Sequence, residues 1–291
     1  MKKLKYLLFF LFAYIMAFAQ SDTRYIDDKP CNLCINGEHH HAPPYDLRLK
    51  KELGFFITAP LVLTLGLVAN VTNDFKVLTP QDLKALDPSK VNSFDRSAIG
   101  NFSPKAARAS DYLRTGVLVL PVLFLANHHT KKDINSLFLM SAEVFITNFG
   151  LTSIVKNIVQ RKRPFVYNTS LSYEERTTKS SRLSFFSGHA SITAAASFFI
   201  AKVMSDYHPN MKRGLKWGIW IVSASIPAIT SYLRVRAGKH FPTDVIAGYG
   251  VGALTGWIIP ELHKHSKKLD KTSFNVFPVQ GGMAGSFSFK F

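Results

Sequence analysis

Cysteine is nearly absent from this chain: its 291 residues hold two, Cys31 and Cys34. One close pair cannot staple a disulfide scaffold, and with no second pair it makes no four-ligand structural zinc site. The neighbouring His39-His40-His41 run invites a metal or redox reading, but no βαβ pattern surrounds the pair as it would in a redox motif. A local disulfide or an incidental stretch is the plainer expectation. Acids are short as well, 19 Asp plus Glu against 36 Lys plus Arg, for a net charge of +17. No acidic cluster is dense enough to hold a hard cation, so neither metal nor cofactor is expected. A balance this basic suits an anionic partner: nucleic acid, an anionic lipid headgroup or phosphate. The cations sit in short loops between apolar runs, not along polar helix faces. That placement argues against nucleic acid and for a membrane surface or phosphate.

Strand-like alternation is missing from the body of the chain. Apolar runs of helical length alternate with polar loops at roughly 55–71, 115–126, 134–155, 190–204, 215–233 and 245–260, so the expected fold is all-α, a bundle of about six helices. Before it, Met1–Lys5 carries three Lys, Tyr6–Met16 is apolar, and Ala17-Phe18-Ala19 precedes Gln20. This reads as a secretory signal over 1–19, with an uncleaved anchor as the alternative. Residues 20–50 form a polar tail, 51–265 the helical domain, and 266–291 a second tail. In that last tail 273–276 and 286–291 alternate polar and apolar around Gly281-Gly282, the pattern of a β-hairpin. The polar loop 72–111 is expected to hold short helices near Pro80–Leu86 and Pro104–Tyr112, each opening with Pro after a Thr or Ser cap. Glu143, Asn148 and Lys202 interrupt the apolar runs, and the mean hydropathy is +0.07. Two readings therefore stand, a membrane-embedded bundle, which the apolar runs favour, and a soluble periplasmic one.

Three polar patches fall at helix ends. Lys156 and Arg163 lie seven apart, two helical turns, before Pro164. On one helix face they would clamp an anion. Ser187-Gly188-His189 opens the fourth run. Free N–H groups at a helix start bind phosphate oxygens, and glycine lets the ligand reach the backbone. Arg234 closes the fifth run, and His240 and Asp244 bracket the start of the sixth. An Asp beside a His can accept from Nδ1–H and leave Nε2 free as a nucleophile. Taken singly each patch is ordinary: a solvated face, a turn with its cap, a structural histidine. Together, three cations, backbone donors, two histidines and one carboxylate make a phosphoryl-transfer site. The first pattern alone arises by chance about once per ten thousand positions if Lys, Arg and Pro each make up ~5% of residues.

These residues resemble the type-2 phosphatidic acid phosphatase (PAP2) and vanadium haloperoxidase superfamily. Its pattern is Lys-x6-Arg-Pro, then Pro-Ser-Gly-His, then Ser-Arg-x5-His-x3-Asp. Lys156, Arg163 and Pro164 match the first part completely. Ser187, Gly188 and His189 match the second with Phe186 in place of Pro; Arg234, His240 and Asp244 match the third with Leu233 in place of Ser. Neither departure removes a charged or nucleophilic group, though Leu233 removes one polar contact near the phosphate. The resemblance spans about residues 110–260.

The resemblance implies that His240 attacks phosphorus and forms a phosphohistidine, and that Asp244 supports it. His189 would protonate the leaving oxygen and then activate water. Lys156, Arg163, Ser187, Gly188 and Arg234 would bind the phosphate, with no metal. The implied activity is hydrolysis of a phosphomonoester or diphosphate of a membrane lipid: an anionic phospholipid, an isoprenoid diphosphate or a lipid A phosphate. A soluble periplasmic acid phosphatase is the alternative, followed by a vanadate-dependent haloperoxidase and a non-enzymatic envelope protein. With the signal, the implied place is the inner membrane of a bacterial envelope, with the site facing the periplasm.

Overall fold

The computed structural model describes residues 44–45, 62, 64–66, 68, 77–126 and 130–264, and for the backbone alone 34–35, 38–39, 128–129, 272–279 and 282–289. The expected signal, Cys31 and most of the polar tail lie outside the described residues. Five long helices dominate: α1 (Pro104–Leu118), α2 (Ile134–Val159), α3 (Gly188–Tyr207), α4 (Arg213–Arg236) and α5 (Pro242–His263). The described part is mostly helical. Of the first expected run only Val62, Thr64, Leu65, Gly66 and Val68 are described, all helical. The backbones of Thr272–Val279 and Gly282–Phe289 pair antiparallel, with Val279 opposite Gly282.

One expectation about the boundaries changes. The short helix expected at 104–112 and the run 115–126 are continuous: α1 carries on to Leu118 and a 3-10 stretch, Leu120–Ala126, follows. Pro121 has no N–H to extend an α-helix, and the chain tightens there. Ser103 caps α1 by accepting from the Ala106 N–H (3.2 Å), and Thr79 with Asp82 forms a capping box on Pro80–Lys84.

α3 lies at the centre. Nearly every residue from Ala190 to Ser205 is buried, as suits a helix apolar or small on all sides. Phe199 and Ile200 pack with Met140, Val144 and Phe124, and the Phe124 and Phe199 rings meet edge-on at 5.9 Å. Gly248, Gly252 and Gly256 recur every fourth residue on α5 and face the backbone of α3. An added Cβ would fall 2.4 Å from Ser187 O, 2.0 Å from Ser191 O and 2.2 Å from Ala195 O. Only hydrogen at these positions lets the two helices come this close.

By length and composition, four segments can cross a membrane: Pro104–Ala126, Ile134–Tyr167, Arg213–Arg236 and Pro242–His263. Their outward faces carry bare apolar residues, among them Trp217, Ile221, Ile246 and Leu254, each more than half exposed. At the end of the bundle formed by the last turns of α3 and α5, buried charges are paired. Lys202 binds Asp206 (2.5 Å) and Glu261 (2.6 Å), His263 binds Glu143 (2.8 Å), and the Tyr45 hydroxyl donates to Asp206 (2.8 Å). The three sequence patches meet at the other end.

Candidate active site

α2 ends at Gln160, whose backbone is left-handed (φ 46°). The helix therefore stops before Arg163, and Lys156 and Arg163 do not share a helix face as their spacing suggested. They converge because the chain turns back. The Arg163 N–H donates to Ser181 O (2.9 Å), and Pro164 starts a 3-10 turn. The Lys156 ammonium then donates to Leu183 O at 2.9 Å, and an Arg163 guanidinium N–H to the same carbonyl at 3.4 Å. Arg234, in the last turn of α4, donates to Ser110 Oγ (3.3 Å) and lies 3.5 Å from Asp111 Oδ1. Arg163 and Arg234 are both buried, and the Nε of each has no hydrogen-bond partner among the described residues. Buried donors left open in this way mark a place for an acceptor.

The turn after α4 delivers His240. Gly238 has φ 68°, and a Cβ there would fall 1.9 Å from Asn101 O. Its carbonyl accepts from the Phe165 N–H (3.0 Å), which ties the turn to the segment after Arg163. The His240 ring is 1% exposed, and Nδ1 lies 2.7 Å from Ser184 O. A carbonyl only accepts, so Nδ1 carries the proton and Nε2 keeps its lone pair.

Asp244 does not take the proton of Nδ1, contrary to the reading from the sequence. It lies 3.8 Å away. Its Oδ2 accepts from Ser184 Oγ (2.5 Å) and from the Phe241 N–H (2.8 Å), and its Oδ1 from Arg161 (2.5 Å). The reason is local. Asp244 is in the first turn of α5, where a carboxylate folds back onto the free N–H groups of its own helix start. The ring turns to the nearer carbonyl. Arg161 in turn binds Asp95 (2.7 Å) and stacks over the Phe241 ring (4.3 Å).

Ser187 caps α3, its Oγ accepting from the Ala190 N–H (3.4 Å), and its own N–H donates to Asp244 O (2.9 Å). Gly188 lies against the Lys156 stem, an added Cβ meeting Lys156 Cε at 4.0 Å. His189 Nε2 is 2.7 Å from Asp111 Oδ1. All eight residues singled out from the sequence thus gather around one end of α3. Asp111, Arg161, Asp95 and Ser184 join them without having been given roles. Arg161 lies between Lys156 and Arg163, where with Lys162 it adds two further cations that were a usable signal, and Ser184 lies three residues before Ser187. Asp95 and Asp111 are distant in sequence and carry none.

The electrostatics follow from cations gathered in a buried space. Burial, then Arg163, Lys156 and Arg234, hold His240 well below the usual histidine range. Burial and Arg234 lower His189 to about 3 despite its bond to Asp111. Both shifts favour the neutral ring. Asp95 behaves oppositely: burial would raise it, but bonds from Arg161, Thr243 and Asn92 outweigh burial and keep it ionised. Among the described residues no three His, Cys, Asp or Glu side chains group as metal ligands.

The PAP2 superfamily model matches residues 136–268, a stretch that contains Lys156, Arg163, the Ser187–His189 patch, Arg234, His240 and Asp244. In this segment the chain is similar to the PAP2 superfamily. The chain is 24% identical over 156 residues to the lipid A 4'-phosphatase of Porphyromonas gingivalis, covering 52% of this chain and 62% of that one. It is 28% identical over 125 residues to phosphatidylglycerophosphatase B of Bacillus subtilis, covering 43% and 57%. The chain spans about three fifths of the length of the curated relatives it matches. Among solved structures it matches the crystal structure of the first transmembrane PAP2 type phosphatidylglycerolphosphate phosphatase from Bacillus subtilis. The identity there is 21% and the TM-score 0.43, with 72% of this chain and 94% of that one covered. Asp95 and Asp111 precede the matched PAP2 segment.

Proposed function

We propose that this protein is a membrane-bound phosphatase that removes a phosphoryl group from a lipid phosphate through a phosphohistidine. One observation carries the reading: the lone pair of His240 Nε2 is free in a buried space where Lys156, Arg163 and Arg234 gather, the last two with unpartnered Nε donors. A phosphate dianion satisfies those donors and is presented to the ring. The Gly188 and His189 N–H groups at the start of α3 complete its surround.

His240 Nε2 attacks phosphorus, the P–O bond to the lipid breaks, and His189 gives its proton to the departing oxygen. His189 then takes a proton from water as that water attacks phosphorus. The P–N bond breaks, and phosphate and free His240 result. The cations around His189 hold its basicity low, and a bound dianion offsets them, so that the ring takes up its proton in the complex. Asp244 steadies the positive ring of His240 from 3.8 Å. Acid–base help of this kind contributes about 10²–10⁴-fold. Lipid is the substrate class because the helices that hold the site show apolar side chains outward, and because both curated relatives are named as phosphatases of lipids. The site faces the periplasm in this reading, with the N-terminal signal directing export.

The test is phosphate release by purified protein in detergent, with phosphatidic acid and para-nitrophenyl phosphate side by side. Wild type releases phosphate from the lipid and yields an acid-labile phosphoprotein on rapid quenching. His240→Ala does neither while its thermal midpoint stays near wild type. Turnover retained in His240→Ala defeats the mechanism, and a preference for the soluble ester defeats the lipid assignment.

A further inference from the structure

Lys239 is a cation at this end of the bundle that the PAP2 pattern does not include. It precedes His240, yet the two side chains differ in setting. His240 is buried, while Lys239 is half-buried with its ammonium 4.6 Å from the centre of the Phe165 ring. Among the described residues it makes no ion pair. Arg163 and Arg234 are its strongest cationic neighbours, and with burial they depress its basicity. The cations that weigh most on His240 are Arg163, Lys156 and Arg234, without Lys239. Lys239 thus sits half-buried on the turn that delivers His240, its ammonium over the Phe165 ring.

Charge balance gives this position a meaning. The carboxylates acting on Lys156, Arg163, Arg234 and Lys239 are Asp111, 3.5 Å from Arg234, and Asp244, which Arg161 holds. Arg114, exposed on α1, adds to the positive field at His189 and Arg234. A phosphomonoester brings a charge of about −1.5 to −2 at pH 7. That matches the inner cations and leaves Lys239 uncompensated beside two guanidiniums. A second phosphoryl group next to the first would meet it.

Resting on the phosphatase reading, we propose that Lys239 is a specificity residue that binds the inner phosphoryl group of a lipid diphosphate while the outer one is cleaved. His240 attacks the outer phosphorus, the bridging P–O bond breaks, and the lipid monophosphate leaves with the proton from His189. Negative charge grows on that inner phosphoryl group as the bridge breaks, and the Lys239 ammonium is placed to stabilise it. Phosphatidic acid has no such group, and its turnover does not draw on Lys239.

The experiment compares wild type, Lys239→Met and Lys239→Arg on farnesyl diphosphate and phosphatidic acid in the same detergent. Met keeps a stem for the Phe165 ring and removes the charge. The expected loss of kcat/KM for Lys239→Met is about 10²-fold on the diphosphate, as for one lost charge-stabilising donor. The loss on phosphatidic acid is small, and Lys239→Arg retains most diphosphate turnover. Equal losses on both lipids, or none on either, overturn the proposal. A second measurement needs no variant. On wild type, methylenebisphosphonate inhibits phosphatidic acid hydrolysis at lower concentration than inorganic phosphate, and equal potency overturns the proposal. Release from phosphatidic acid but not from the diphosphate overturns it while leaving the phosphatase reading intact. Release from neither overturns both.

Discussion

His240 Nδ1 bonds the backbone carbonyl of Ser184 at 2.7 Å, and the hydroxyl of the same serine bonds Asp244 at 2.5 Å. Ser184 thus stands between His240, the proposed nucleophile, and the carboxylate four residues beyond it. The tautomer of His240 is set by a main-chain atom that no side-chain substitution removes. Asp244 contributes charge at 3.8 Å and rigidity through Ser184. This division predicts unequal variants. Asp244→Asn loses the charge that steadies the positive ring, and kcat falls about 10²–10³-fold. Ser184→Ala keeps the carbonyl and loses one bond to a charged group, about 1.5–3 kcal/mol, with a kcat loss of about 10–100-fold. KM for the lipid changes little in either. Steady-state kinetics on both variants checks the order, and a larger loss in Ser184→Ala than in Asp244→Asn contradicts it.

Arg161 bridges two carboxylates that are themselves wholly buried, Asp95 and Asp244, while its own side chain is 25% exposed. Removing it leaves two buried charges without a cation. Loss of one member of a buried pair costs about 3–5 kcal/mol, so Arg161→Met is expected to lower the thermal midpoint markedly. Arg161→Lys keeps the charge but cannot reach both carboxylates as the forked guanidinium does, and it falls between. Asp95→Asn in the Arg161→Met background removes one of the stranded charges and recovers part of the loss. Scanning fluorimetry in detergent reads all three. A midpoint for Arg161→Met equal to wild type shows that the bridge contributes nothing to stability.

The two histidines give the stability of the fold a pH dependence whose sign is fixed. Their rings are held below the ordinary value of about 6.5, His189 to about 3 and His240 well below its usual range. The unfolded chain takes up protons at both as pH falls through about 6.5, and the folded site resists them. Below that point the unfolded state binds more protons, so stability falls as pH falls. The contribution is fully present above about pH 6.5 and is lost progressively toward His189's folded value. The thermal midpoint of wild type should drop more steeply between about pH 6.5 and 4 than that of a His189→Gln, His240→Gln double variant. Parallel curves for the two proteins speak against depressed histidines in the folded protein.

Much of this site was legible in the sequence because its residues come in short runs with fixed spacing at helix ends. The Lys156, His189 and His240 patches needed only that apolar helical runs be recognised on either side. What escaped was set by tertiary contact. The 156–163 spacing suggested one helix face, but α2 stops at Gln160 and a loop brings Arg163 back. The i, i+4 spacing of His240 and Asp244 suggested a bond, but the α5 N-terminus and Arg161 claim the carboxylate. Asp111 reaches His189 from α1 across 78 positions, a separation at which a single sequence holds no trace of pairing. The helix count stayed rough for a different reason: Pro121 converts the tail of an apolar run into a 3-10 stretch, which composition alone does not distinguish from helix.

The glycine seam of α5 links the fold to the chemistry and gives a test of that link. Gly248 lies against Ser187 O, where a Cβ would sit at 2.4 Å, and Gly252 against Ser191 O, where it would sit at 2.0 Å. Both contacts are with main chain, which cannot swing aside as a side chain can. Alanine at either position must push α5 away from α3. The first casualty is the bond from the Ser187 N–H to Asp244 O (2.9 Å), and with it the placement of the α3 N-terminus opposite His240. Gly250, two residues from each, has nothing within 4 Å of an added Cβ. Gly250→Ala should be harmless or stabilising, by up to the ~0.8–1.0 kcal/mol that separates the two residues in a helix interior. The expected order of activity on phosphatidic acid is therefore wild type equal to Gly250→Ala, with Gly248→Ala and Gly252→Ala far below. Gly248→Ala, nearest the site, should lose kcat by a larger factor than its fall in thermal midpoint accounts for. Gly252→Ala, deeper in the seam, should lose stability and activity together. If all three variants behave alike, helix contact at the seam does not govern how the N-terminus of α3 is held.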